Sequence, residues 1–219
     1  MRICARLLFA LVSLFLLVIV IQFCVAFVRT PAIVTQAEQS GRLLLNPGEF
    51  REQRLQWLIK VQDPTFYHHH GVELRAPGAG YTTITQGLIK ILFFNSSFKP
   101  GFLRWRKIHQ TIIALAFSAR VPKDEQLRLF VNLAYMGTPN GHSIVGFSQA
   151  AHEYFGKNFL DLTDEEYLSL VAVIVAPERF SPEMHPAENK QRVTRIRRLL
   201  AGSCAPAGHS DVEYVACAQ

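Results

Sequence analysis

A mainly α-helical domain behind one apolar N-terminal helix is the fold class this sequence predicts. Three observations carry it. An apolar run extends from Leu7 to Phe27, with Gln22 its one strongly polar residue. Apolar residues recur at three- and four-residue spacing through most of the chain beyond residue 51. No strongly alternating strand pattern appears between residues 51 and 202.

The run 7–27 matches the ~20 residues that cross a bilayer as a helix. Arg2, Arg6 and the terminal amine precede it, and only Arg29 follows closely. The positive-inside rule then puts residues 1–6 in the cytoplasm and the remainder on the extracytoplasmic, periplasmic side of a plasma (inner) membrane. A cleaved signal would carry an apolar core of ~7–15 residues and a small-residue cleavage site. Neither is present before Arg29, so the segment reads as an uncleaved single-pass anchor. Residues 28–50, with Pro31, Gly41, Pro47 and Gly48, read as a stalk.

The domain proper spans 51–202. Thr82 suits the cap of a helix reaching about Phe94, with Ile84, Leu88, Ile91 and Leu92 facing inward. A second helix, 103–120, carries Ile108, Ile112, Leu115 and Ala116 at helical spacing. Pro122 suits the first turn of a third, which buries Leu127, Phe130, Val131, Ala134 and Tyr135. Thr163 and Glu166 form a capping box opening an apolar helix that Pro177 stops. Pro186 starts the last helix, whose apolar face is Val193, Ile196, Leu199 and Leu200, and Gly202 ends it. Residues 203–219 form a tail. Its Cys204 and Cys217 either close a small loop in an oxidising compartment or stay free thiols.

Hydrophobic residues make up 49% of the 219 and charged residues 18%, as expected when part of a chain lies in lipid. The net charge of +6 suits an anionic membrane or a pyrophosphate as well as nucleic acid. An extracytoplasmic location argues against nucleic acid. The segment Phe93–Arg106 interleaves aromatics with cations, which suits either headgroup contact or the edge of a core. His68, His69 and His70 are consecutive, so regular structure fans them apart, and no metal is assigned to them.

Arg106, Lys107 and Gln110 lie within four residues of one another on a helix, so all three are expected to project together. Gln86 and Lys90 sit four apart near a helix N-terminus, which favours anions. Read in isolation, each is an ordinary polar helix face.

Together these segments resemble the signatures of the family 51 glycosyltransferases, the peptidoglycan polymerases. Gln62-Asp63-Pro64-Thr65-Phe66-Tyr67-His68-His69-His70-Gly71 is similar to the first, which normally opens Glu-Asp. Gly80, Thr82, Thr83, Ile84, Thr85, Gln86 and Lys90 follow the second, with Gly87 where a second Gln is usual. Arg106-Lys107-Ile108-His109-Gln110 resembles an Arg-Lys-x-x-Glu signature. Lys123 through Asn132, Tyr135 and Gly137 resemble the fourth, and Gly146 to Lys157, with Tyr154-Phe155-Gly156-Lys157, the fifth.

The resemblance implies a lysozyme-like α lobe beside a small membrane-facing lobe. It implies lipid II or a lipid-linked glycan as ligand, with other cell-wall synthesis proteins as partners. In the family the first Glu deprotonates the acceptor hydroxyl, which displaces undecaprenyl pyrophosphate from the donor. A second Glu and nearby cations, often with Mg2+ or Mn2+, support the leaving group. Carried over, Gln62 and Gln110 occupy the two Glu positions. Lys90, Arg106 and Lys107 become the phosphate candidates, and Thr85 and Gln86 line the cleft. Phe66, His69, Gly71, Asn132, Tyr154, Gly156 and Lys157 shape the motifs. A Gln amide takes no proton at useful pH, so catalysis is expected to be lost or weakened. Asp63 and Glu73 are the alternative bases, under which the chain is an active enzyme. No transpeptidase domain follows within these residues, so any polymerase activity is expected to be monofunctional. The third alternative is a non-catalytic scaffold. The short gap from Gly71 to Gly80 departs from the family pattern at the membrane-facing lobe.

Overall fold

The computed structural model describes residues 2–94 and 103–218. Most of the aromatic and cationic stretch 93–106 therefore lies outside the described residues.

Helix α1 (Arg2–Gln39) is continuous through Pro31. At 1.5 Å per residue its 38 residues span roughly 57 Å, well beyond a hydrocarbon core. Among the described residues it is the one helix long and apolar enough to cross a membrane. The helix runs through the residues read as the anchor, 7–27, and on into those read as the stalk. Packing overrides Pro31: Phe15 stacks on Trp105 at 5.8 Å, Arg120 sits 4.9 Å over the Phe27 ring, and Arg128 pairs with Glu38 at 2.9 Å. The chain beyond α1 is also tied down. Leu45 N–H donates to Asn132 Oδ1 at 2.9 Å, and Asn132 Nδ2 returns a bond to Leu45 O at 2.7 Å.

The remaining described helices are α2 (Glu52–Gln62), α3 (Ile84–Leu92), α4 (Leu103–Ser118), α5 (Lys123–Leu133), α6 (Gly146–Phe155), α7 (Asp164–Val173) and α8 (Pro186–Leu200). Between α5 and α6 lies one antiparallel pair, β1 (Tyr135–Gly137) and β2 (Ile144–Val145). The fold is mainly α, as the spacing predicts. α4 and α5 both pack on α3, and α8 packs on α7. Leu58, Leu88, Phe117, Leu127, Phe147 and Tyr167 are fully buried at the centre.

Three local expectations need correction. Thr83, not Thr82, caps α3: its hydroxyl accepts from Gln86 N–H, and Gln86 completes the capping box. The buried face of α4 is Ile112, Ile113, Ala116 and Phe117, whereas Ile108 and Leu115 are exposed. A helix lying between α1 and α3 is apolar on more than one side, so spacing alone does not choose the core face. Tyr135 falls beyond α5, in β1, and is exposed rather than buried.

The tail is folded back on the domain. Cys204 and Cys217 are bonded, with Cα atoms 5.5 Å apart. Tyr214 is buried and donates to Val61 O.

Candidate functional site

Where α2 ends, the loop 78–83 crosses to α3 and opens a cleft of about 730 Å³. Gln62, Tyr81, Lys90, Phe130, Tyr135 and Val212 are among its walls. Among the described lining residues there is no Asp or Glu, and Lys90 is the one charged side chain.

Gln62 ends α2 and lines this cleft. Its Nε2 donates to Val171 O at 3.0 Å, which leaves the amide carbonyl as an acceptor. That group can receive a hydroxyl's hydrogen bond but does not take its proton. Gln110 is fully buried and stands apart from the cleft lining. Its Nε2 donates to Gln86 O at 2.7 Å, and its Oε1 accepts from Lys107 Nζ at 3.2 Å. The two glutamines therefore do not share one wall.

Lys107 links the buried layer to the cleft. Its ammonium donates to Tyr81 O and, at 3.2 Å, to Gln86 Oε1. Burial, and then repulsion from Lys90, draws its pKa down from 10.5 to about 8. Burial lowers the Lys90 pKa as well. Both ammonium groups are thus partly desolvated, and Lys90 repels Lys107.

Arg106 does not join them. It lines a separate groove of about 250 Å³ between α1 and α4, with Val18, Gln22 and His109. Adjacent helical positions point apart, and contact with α1 decides which way Arg106 faces. Thr85 and Gln86 are buried and absent from the cleft walls, contrary to expectation. Thr85 Oγ1 donates to Gln126 Oε1 at 2.6 Å, and Gln86 Nε2 to Thr111 Oγ1 at 3.3 Å. They hold α3 in place beneath the cleft.

Neither alternative carboxylate reaches the cleft. Asp63 is fully buried, receives His69 Nε2 at 2.9 Å and accepts Ile84 N–H at 3.0 Å. Its carboxylate thus supplements the Thr83 cap at the N-terminus of α3. His69 Nδ1 accepts from Gly71 N–H at 3.0 Å, so the proton sits on Nε2, toward Asp63. Glu73 accepts from Leu74, Arg75 and Ala76 N–H and from the Thr65 hydroxyl. These bonds, the one from Arg75 foremost, hold its carboxyl below the usual range.

The other motif residues are structural supports. Phe66 is buried with Lys123 Nζ 4.4 Å over its ring. Gly71 has φ +95°, and a Cβ there would meet Ala114 O at 2.6 Å. Asn132 ties α5 to the chain after α1. Tyr154 donates to Met136 O at 2.7 Å, Gly156 ends α6 at φ 63°, and Lys157 pairs with Glu166 at 2.7 Å.

Among the described residues no cluster of three or more His, Cys, Asp or Glu suits a metal ion. A divalent cation held by the protein needs carboxylates, and among the described residues the cleft walls carry none. Sequence reasoning missed the tail residues Ser210 and Val212, which also line the cleft. The cysteine pair was the available signal.

Fold and site together define a mainly α domain with a largely apolar cleft that holds one lysine, joined to an apolar helix long enough to cross a membrane. Residues 31–201 match the Transglycosylase family, and the chain belongs to it, that is, to the family 51 glycosyltransferases. It is 33% identical over 166 residues to penicillin-binding protein 1F of Bacillus subtilis, covering 70% of this chain and 22% of that protein. It is 28% identical over 185 residues to penicillin-binding protein 1B of Escherichia coli, covering 78% of this chain and 21% of the relative. Penicillin-binding protein 1A of Pseudomonas aeruginosa is also 28% identical, over 177 residues, 70% of this chain and 21% of its own length. The chain thus spans about a fifth of the length of these relatives.

Proposed function

We propose that this protein is a membrane-anchored peptidoglycan glycosyltransferase-like protein that binds lipid II or nascent glycan strands. Its polymerase activity is lost or greatly weakened. The observation that carries this reading is the cleft itself. Lys90 stands in its walls with Lys107 behind them, and Gln62, which the sequence resemblance puts at the general-base position, is one of its lining residues. Losing a positioned base costs ~10²–10⁴ in rate. Asp63 and Glu73 are both committed to backbone amides, which counts against a displaced base. A cation such as Mg2+ or Mn2+ would arrive on the substrate pyrophosphate rather than on protein carboxylates.

Binding would take place at the extracytoplasmic membrane face, with residues 1–6 in the cytoplasm. The Cys204–Cys217 bond supports an oxidising compartment. Other cell-wall synthesis proteins are the partners this setting offers.

Labelled lipid II tests the proposal. The protein is expected to bind it, about tenfold more weakly after Lys90→Ala, and to make no glycan. The double variant Gln62→Glu, Gln110→Glu is expected to recover polymerisation. Polymer from the unaltered protein would refute the inert reading, and absence of binding would refute the ligand.

A further inference from the structure

The C-terminal tail is built against the cleft. Gly78 and Gly80 N–H donate to Gly208 O and His209 O, each at 2.9 Å. His209 Nδ1 adds a bond to Ala76 O at 3.0 Å. Gly78 and Gly80 both line the cleft and both have positive φ, 75° and 64°. A Cβ on Gly78 would meet Tyr214 Cε1 at 2.7 Å, and one on Gly80 would meet Val212 Cγ1 at 2.4 Å. Loop and tail therefore approach as closely as glycine allows.

The same tail reaches the family base position. Tyr214 donates to the carbonyl of Val61, the residue before Gln62. Ser210, which is exposed, and Val212 complete the lining. Yet the tail has little regular structure: one three-residue turn of helix at Val215–Cys217. Its shape is held by Asp211, which accepts from Ala207 and Val215 N–H, and by the disulfide that joins its two ends.

We infer that this stapled tail is a working wall of the ligand site. Ser210 and Val212 contact the lipid-linked glycan, and the Cys204–Cys217 bond makes ligand binding depend on redox state. The inference rests on the proposed ligand. A dithiol reductant supplies two electrons and two protons: the S–S bond opens to two cysteine thiols, and the reductant closes to its own disulfide. Freed of the staple, the tail no longer pays its ordering entropy in advance, and the wall is populated less.

The test uses the full chain in nanodiscs, titrated with fluorescent lipid II before and after dithiothreitol. Reduction is expected to weaken binding about tenfold or more. Cys204→Ser, Cys217→Ser is expected to bind as weakly and to ignore the reductant. Val212→Glu is expected to weaken binding with the disulfide intact. Equal affinity in the oxidised and reduced forms, with helical circular dichroism retained, overturns the inference and leaves the proposed ligand standing. If reduction unfolds the domain, Val212→Glu decides: wild-type affinity there overturns it. No binding by the oxidised protein removes the ligand reading and this inference together.

Discussion

Lys107 is the residue on which ligand charge should act most visibly. Its ammonium sits among Tyr81, Gln86 and Gln110, with a pKa drawn down to about 8 by burial and by Lys90. Affinity for a diphosphate-bearing ligand should be highest below pH 8. It should fall by roughly tenfold per pH unit at most as Lys107 sheds its proton above that. Lys107→Arg keeps its charge throughout and should flatten the fall; a pH titration in which both proteins behave alike would rule this out. Stability carries the opposite sign. Between about pH 8 and 10.5 the unfolded chain holds a proton that the folded chain has released, so this lysine favours the fold increasingly as pH rises through that window. Lys90 was named from the family resemblance rather than from its helix position: it falls in the last turn of α3, away from the N-terminus that favours anions, yet it lines the cleft. The direction of Arg106 was not legible. It is set by α1, more than eighty residues earlier in the chain, and no local spacing encodes that contact.

At the scale of elements, the entry to α3 governs the site. Asp63, His69, Gly71 and Thr83 form one buried chain: Asp63 holds Ile84 N–H and His69, His69 holds Gly71 N–H, and Thr83 Oγ1 donates to Gly71 O at 2.8 Å. Asp63→Ala leaves two buried donors without an acceptor. It should cost about 2–4 kcal/mol in denaturant unfolding. A loss below 1 kcal/mol would mean that Asp63 does not cap α3. The sequence marked the start of α3 to within a residue through its Thr cluster. Burial of Thr85 and Gln86 was hidden, since the first turn of a helix looks polar whether it meets solvent or the α4 and α5 helices. The β1–β2 pair was also invisible. Strands of three and two residues are too short to alternate.

For the whole molecule, the alignment of α1 with α4 makes a prediction about depth. Trp105 stacks on Phe15, which lies inside the apolar run. The start of α4 should therefore sit at hydrocarbon depth in a bilayer. The chain has two tryptophans, so Trp57→Phe leaves Trp105 as sole reporter. Brominated acyl chains in reconstituted vesicles should quench its emission strongly; quenching only by an aqueous agent would place α4 outside the membrane. Domain limits were legible only coarsely. Gly and Pro suggested a stalk over 28–50, which Arg128 and Asn132 tie to the domain, and of the two readings left open for the cysteines of the tail the bonded one holds.

One feature of α1 has a mechanical outcome. A helix that passes unbroken from the apolar run into side-by-side contact with the domain acts as a mast, not a leash. Were α1 set in a bilayer, a cleft so mounted would keep one height and tilt above the lipid, and a ligand would have to reach it along the surface.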